Sequence, residues 1–131
     1  MIFVPFKKLK NTKAWLLTSE YVRRKSKGIC YTCGRRVEFK KLCAGHFREK
    51  IGNAGTYFDL DGLRAQCFYC NRRLHGAKDI YARKLLKEIG EKGLNNLFKK
   101  SVKGKQWTKE ELEVIVEERQ KLLYGFHNKS N

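Results

Sequence analysis

Two Cys-x-x-Cys pairs, Cys30-Tyr31-Thr32-Cys33 and Cys67-Phe68-Tyr69-Cys70, place four thiols in a chain of 131 residues. Four thiolates complete the tetrahedral shell of a structural zinc ion and leave no open position for water. The 33 residues between Cys33 and Cys67 would form a loop that starts and ends on the metal. Near the middle of that loop stands Gly45-His46, and directly after the last thiol stands Asn71. One zinc ion is therefore expected to bring His46 and Asn71 into one small catalytic site. The bland alternative makes His46 a hydrogen-bonded structural histidine and Asn71 a helix cap.

The remaining cysteine, Cys43, makes the count odd, which fits a metal better than two disulfides. The opening Met1-Ile2-Phe3-Val4-Pro5-Phe6 is too short an apolar run for a signal peptide, and no run approaches the ~20 residues of a membrane span. A reducing, cytoplasmic setting is expected, that of the host cell if a phage encodes the chain.

Lys and Arg number 30 against 13 Asp and Glu, a net charge of +17. Such an excess points to a polyanionic partner, because neutralised phosphates release condensed counterions. Residues 1–105 hold 26 basic and 8 acidic side chains, whereas residues 106–131 hold 4 and 5. The positive field thus belongs to the part that carries the cysteines. Arg64, Arg72, Arg73 and Lys78 flank the second pair and suit phosphate contacts, although long basic side chains on any solvent face look the same. Phe68 and Tyr69 are expected to pack around the zinc.

The elements that must position these residues read as one α+β domain. Residues 1–13 are basic and contain Pro5, which suggests an irregular arm. Residues 14–28 read as a helix with Ala14, Leu17, Thr18, Tyr21 and Val22 at helical spacing, stopped by Gly28. Within the zinc-bound core, 29–90, Leu42 to Phe47 is expected as a strand delivering His46, and Tyr57 to Leu60 as its partner before the turn Asp61-Gly62. A helical reading opens at Cys67, and another helix covers Asp79 to Ile89 and ends at Gly90. Residues 91–131 form a helical extension. It holds the apolar cluster Leu94, Leu97 and Phe98, the basic run Lys99, Lys100, Lys103 and Lys105, and a last helix. Thr108 and Glu111 spell a capping box there, and Leu112, Ile115, Val116, Leu122, Leu123 and Phe126 make an apolar stripe. That stripe is core or a seam for a second copy.

The order Cys-x-x-Cys, Gly-His, Cys-x-x-Cys-Asn resembles the zinc-containing HNH nucleases, whose ββα-metal (His-Me finger) fold includes the phage endonuclease VII junction resolvases. More closely, Ala44-Gly45-His46-Phe47, Gln66-Cys67-Phe68-Tyr69-Cys70-Asn71, Leu74-His75-Gly76, Tyr81, Leu85 and Ile89-Gly90 are similar to the phage NinG/Rap recombination proteins. The likeness runs from about Ala14 to Leu123 and includes Trp107. It implies a zinc-stapled ββα core with an N-terminal helix and a helical C-terminal extension. It also implies that His46 is the general base for water attacking a phosphodiester and that Asn71 is a ligand to one catalytic Mg²⁺ or Mn²⁺. A histidine titrating near neutrality suits the first role, and a hard cation's preference for oxygen suits the second.

The chain departs from these patterns at four places. Gly45 stands where HNH nucleases commonly carry Asp, and Cys43 where NinG-like sequences often do. Gly62, beside Asp61, replaces a middle Asn, and Ala77 replaces an Asn after Gly76. No obvious carboxylate is left for the cation, so Asp59, Asp61 or His75 would have to supply the contact. The expected activity is cleavage of DNA, with the resemblance pointing to branched intermediates such as Holliday junctions. Two cuts per junction would suit a homodimer. The rival expectation is a non-catalytic, zinc-stabilised nucleic-acid-binding module.

Overall fold

The computed structural model is α+β and describes residues 2–102 and 104–129, the side chains of 127–129 excepted; Met1 of the opening run and Lys103 of the basic run lie outside the described residues. It divides into two units, residues 1–21 with 106–131, and residues 22–105.

In the first unit the basic arm is not irregular. Residues Phe6–Asn11 form a 3-10 helix whose Leu9 is buried, and Phe3 bridges to Thr108. The chain then enters α1, Lys13–Lys25, where the Thr12 hydroxyl accepts from the Trp15 N–H as an N-cap does. The last helix, α3, Lys109–Lys129, starts on the expected capping box. Thr108 N–H donates to Glu111 Oε1 at 2.9 Å, and Glu111 N–H to Thr108 Oγ1 at 3.1 Å. Leu112, Ile115 and Leu123 of its stripe are buried in this same chain. Arg119 is buried among them and donates to Thr18 Oγ1, while Tyr21 packs on Phe126. These three are core, whereas Leu122 of the same stripe is exposed.

The second unit is built on two antiparallel strands, β1, Leu42–His46, and β2, Leu63–Cys67, with Leu42 opposite Cys67 and His46 opposite Leu63. The second strand is therefore not Tyr57 to Leu60. Tyr57 to Asp59 lie between 3-10 turns at 54–56 and 60–62 and Leu60 opens the second, with Tyr57 and Phe58 buried and the Asp59 carboxylate accepting from the Asp61 N–H. Both apolar runs satisfy a strand's composition, but only Leu63–Cys67 reaches the metal ligands in register with β1.

From Cys67 the chain makes a π-helical turn, Tyr69–Arg73, and then three successive left-handed residues, His75, Gly76 and Ala77, with φ of 50°, 91° and 46°. The next helix, α2, spans Lys78–Lys100 and is broken at Gly90, whose φ of 75° and ψ of 172° are not helical. The expected stop is real, but residues 91–100 resume as helix because Leu97 has core to fill. Tyr81, Leu85 and Leu97 are buried together with Tyr31, Phe47, Ile89 and Leu94 packed on them. Each such aliphatic side chain contributes about 1.5–3 kcal/mol by leaving water. The Tyr81 hydroxyl, fully buried, donates to the Gly45 carbonyl at 2.7 Å and so ties α2 to β1. Among the described residues, no helix is long and apolar enough to cross a membrane.

Candidate active site

Cys30, Cys33, Cys67 and Cys70 bring their sulfurs within 4.8 Å of one another. Zinc–thiolate bonds of about 2.3 Å make a tetrahedron with edges of about 3.8 Å, and Cys33 Sγ lies 3.8 Å from Cys67 Sγ. The cluster fits a four-thiolate zinc ion. Local backbone explains the fit: Gly34 adopts φ of 74°, Gly34 N–H returns to the Cys30 carbonyl, and Cys70 N–H points at Cys67 Sγ at 3.4 Å. Burial pushes the Cys70 thiol up to about 12. It acts the same way on Cys30, but donors from Thr32, Cys33 and Cys67 outweigh it and bring that thiol down to about 6. Cys43 stays outside the cluster, on β1 opposite Gln66.

Beside the cysteines a cleft of about 430 Å³ is lined by His46, Asn71, Arg72, His75, Gly76 and Lys78, with Glu49 and Lys50 among the others. His46 ends β1, and Asn71 follows Cys70 within the π-helical turn. His46 Nε2 lies 2.9 Å from the Tyr57 carbonyl oxygen. A carbonyl only accepts, so Nε2 carries the proton and the neutral ring keeps its lone pair on Nδ1. Titration near neutrality does not hold here: burial, aided by Lys50 and Lys78, lowers His46 to about 4. The ring is therefore neutral throughout the physiological range.

Gly45 faces a crowded wall. A β-carbon there would lie 2.0 Å from Gln66 Oε1 and 3.2 Å from Asn71 Oδ1. Gln66 is fully buried, and its Oε1 has no hydrogen-bond partner among the described residues. A buried acceptor without a partner costs about 1–3 kcal/mol. An aspartate at 45 is excluded by the glutamine, which explains one departure from the HNH pattern.

The other expected residues divide. His75 lines the cleft, exposed, in its left-handed conformation. Asp61 does not line it and sits in the 60–62 turn, and Asp59 pairs with Lys100 at 3.4 Å. Arg64 also lies outside it: its guanidinium donates to the Leu60 and Leu63 carbonyls and pairs with Glu88 at 2.8 Å. Lys78 lines the cleft but spends its ammonium on the carbonyls of His46 and Phe47, bracing the end of β1. Arg72 and Arg73 are exposed, with Arg72 over the Phe68 ring at 5.5 Å. Phe68 and Tyr69 do not pack inward, since 54% and 56% of their surface is exposed.

Sequence reasoning missed Gln66, Glu49, Lys50 and the Tyr57 carbonyl. Gln66 alone left a trace, a polar residue placed between apolar Ala65 and the zinc ligand Cys67. The backbone carbonyl left none, because it depends on a loop fold that residue types do not specify.

Comparison with known proteins gives one family: the family model described as Bacteriophage Lambda NinG protein matches residues 6–128. No curated protein and no solved structure matches the chain.

Proposed function

The chain belongs to the family of the bacteriophage lambda NinG protein, and from that premise we propose that it is a metal-dependent DNA endonuclease of the HNH type, built on a zinc-stapled ββα core. The observation that carries this reading is the sharing of one cleft by His46 and Asn71, against a four-cysteine cluster. Strand, strand and the segment carrying Asn71 follow in the order such a core requires.

In this reading His46 is the general base. The Tyr57 carbonyl fixes the Nε2–H tautomer, so Nδ1 takes the proton of a water attacking phosphorus. The new P–O bond forms as the bond to the leaving alkoxide breaks. Asn71 Oδ1 would hold a Mg²⁺ or Mn²⁺, which when bound neutralises charge developing on the phosphate and the leaving oxygen. Arg72 and Arg73, with exposed Phe68 and Tyr69 beside them, suit contacts to phosphate and to unpaired bases. Lys78 positions His46 through the backbone. The family's link to phage recombination favours branched DNA as substrate.

One observation favours a second reading, a zinc-stabilised nucleic-acid-binding module without activity. Gly45 offers no carboxylate, and Glu49, exposed, is the single acid among the residues that line the cleft. Supercoiled plasmid and a synthetic four-way junction, incubated with and without Mg²⁺ or Mn²⁺, separate the two. The nuclease cuts only with metal and loses cutting in His46→Ala while still binding. Equal inertness of wild type and His46→Ala, with binding intact, establishes the module.

A further inference from the structure

Phe68 and Tyr69 stand in sequence between the thiols of the second pair, yet both rings are exposed. They line a hollow of about 470 Å³ within residues 22–105. It shares no lining residue with the cleft of His46 and Asn71. The two flank one turn, because the π-helical segment Tyr69–Arg73 gives Tyr69 to the hollow and Asn71 and Arg72 to the cleft. Its size falls in the range of about 300–1,000 Å³ that small ligands occupy.

The opposite wall comes from the segment after the first pair. Cys30 N–H donates to the Arg35 carbonyl at 2.9 Å, Ile29 bridges to Arg36, and Val37 packs on the cysteine cluster. Both walls are thus fastened beside the cysteines before any partner arrives, and little conformational entropy is left to lose on binding. Val37, Phe68 and Tyr69 supply apolar and aromatic surface. Arg35, Arg36 and Lys41 stand exposed around it, with Glu38 as the single acid among the residues that line it. Arg36 spends one guanidinium nitrogen on the Lys27 carbonyl at 3.2 Å, so Arg35 and Lys41 are the better phosphate contacts.

Aromatic rings inside a cationic rim select among partners. An apolar protein segment leaves the cations unused, and blunt duplex DNA offers phosphates but keeps its bases stacked. An unpaired nucleotide brings a π-face and a phosphate together. We propose that the hollow is a subsite for an unpaired nucleotide of single-stranded DNA, its base stacked on Phe68 or Tyr69 and its phosphate on Arg35 and Lys41; this rests on DNA being the partner, as in both readings above. Every base has a π-face, so the subsite selects the state of the strand and not its sequence. Branches and overhangs expose such nucleotides, and the hollow favours them over blunt duplex whether or not the cleft cuts.

The test uses zinc-loaded full-length protein without added Mg²⁺ or Mn²⁺, so that no DNA is cut. The probes are a fluorescein-labelled duplex with an overhang of about ten thymidines and the same duplex blunt. In anisotropy titrations the double variant Phe68→Ala, Tyr69→Ala should bind the overhang probe about fivefold or more weakly and the blunt probe less than about twofold more weakly, with zinc content unchanged. The double variant Arg35→Gln, Lys41→Gln should reduce the slope of log affinity against log salt by about 1.4 on the overhang probe, at about 0.7 for each single-strand phosphate. In wild type, iodouracil placed in the overhang should photo-crosslink to Phe68 or Tyr69, as mass spectrometry identifies, and this decides the matter should the variants fail to fold. Equal weakening on both probes, or crosslinks only to residues of the cleft, overturns the subsite and leaves the nuclease reading standing. Unchanged overhang affinity in the aromatic variant overturns it too and gives the hollow to a protein partner. Binding of neither probe by wild type overturns the subsite and the choice of DNA together.

Discussion

The Tyr57 carbonyl accepts from His46 Nε2 at 2.9 Å, joining the end of β1 to a loop eleven residues further along. The contact fixes which ring nitrogen is basic, and burial holds the ring at about 4. The rate of metal-dependent cleavage should thus stay level from about pH 8 down to about 5 and fall only below that. His46→Ala should lower the rate by about 10²–10⁴-fold. A rate that falls through pH 6.5 would mean a ring exposed to solvent.

The same histidine makes stability depend on pH. Its ordinary value is 6.5 and its folded value about 4, so between them the unfolded chain binds the proton and the folded chain does not. Stability is unaffected by this group above about 6.5, declines as pH falls towards 4, and levels beyond. Urea titrations of His46→Gln should lack that part of the decline seen for wild type.

One zinc per chain is expected by elemental analysis. Cys70→Ser should abolish it and unfold residues 22–105, as loss of a structural zinc site does. Cys43→Ser should leave zinc content unchanged. Loss of zinc in Cys43→Ser would require a different ligand set.

Gly45→Ala should destabilise by about 1–3 kcal/mol, because its methyl would meet Gln66 Oε1 at 2.0 Å. Gln66→Ala removes the obstacle. In a double-mutant cycle the pair should therefore cost less than the sum of the single changes. Additive effects would show that residue 45 and Gln66 do not touch.

In the unit that does not carry the cleft, Thr108→Ala should cost about 1 kcal/mol through the lost cap. Cutting by the folded fraction should be unchanged. Thermal unfolding and a cleavage assay on the same sample check both halves.

Much of this was legible because it was local. Thr108 and Glu111 meet as their spacing requires, and the four cysteines gather as two knuckles should. His46 and Asn71 share a cleft because a short hairpin and a metal cluster leave them little freedom. Less local relationships were hidden. Tyr57 to Leu60 and Leu63–Cys67 compete for the same strand pattern, and only pairing across the chain selects the second. Arg64 and Lys78 look like phosphate ligands until Glu88 and two backbone carbonyls claim them. Gly45 looks like a defect until Gln66 is seen behind it.

His75, Gly76 and Ala77 turn left-handed in succession, and the Gly76 carbonyl among them receives Gln66. Glycine and asparagine enter that conformation readily, whereas alanine resists it by about 1–2 kcal/mol. The asparagine that the NinG-like pattern places at position 77 would thus ease the bend without offering any chemistry. Position 77 therefore shapes the recess through its dihedral angles, whichever side chain stands there.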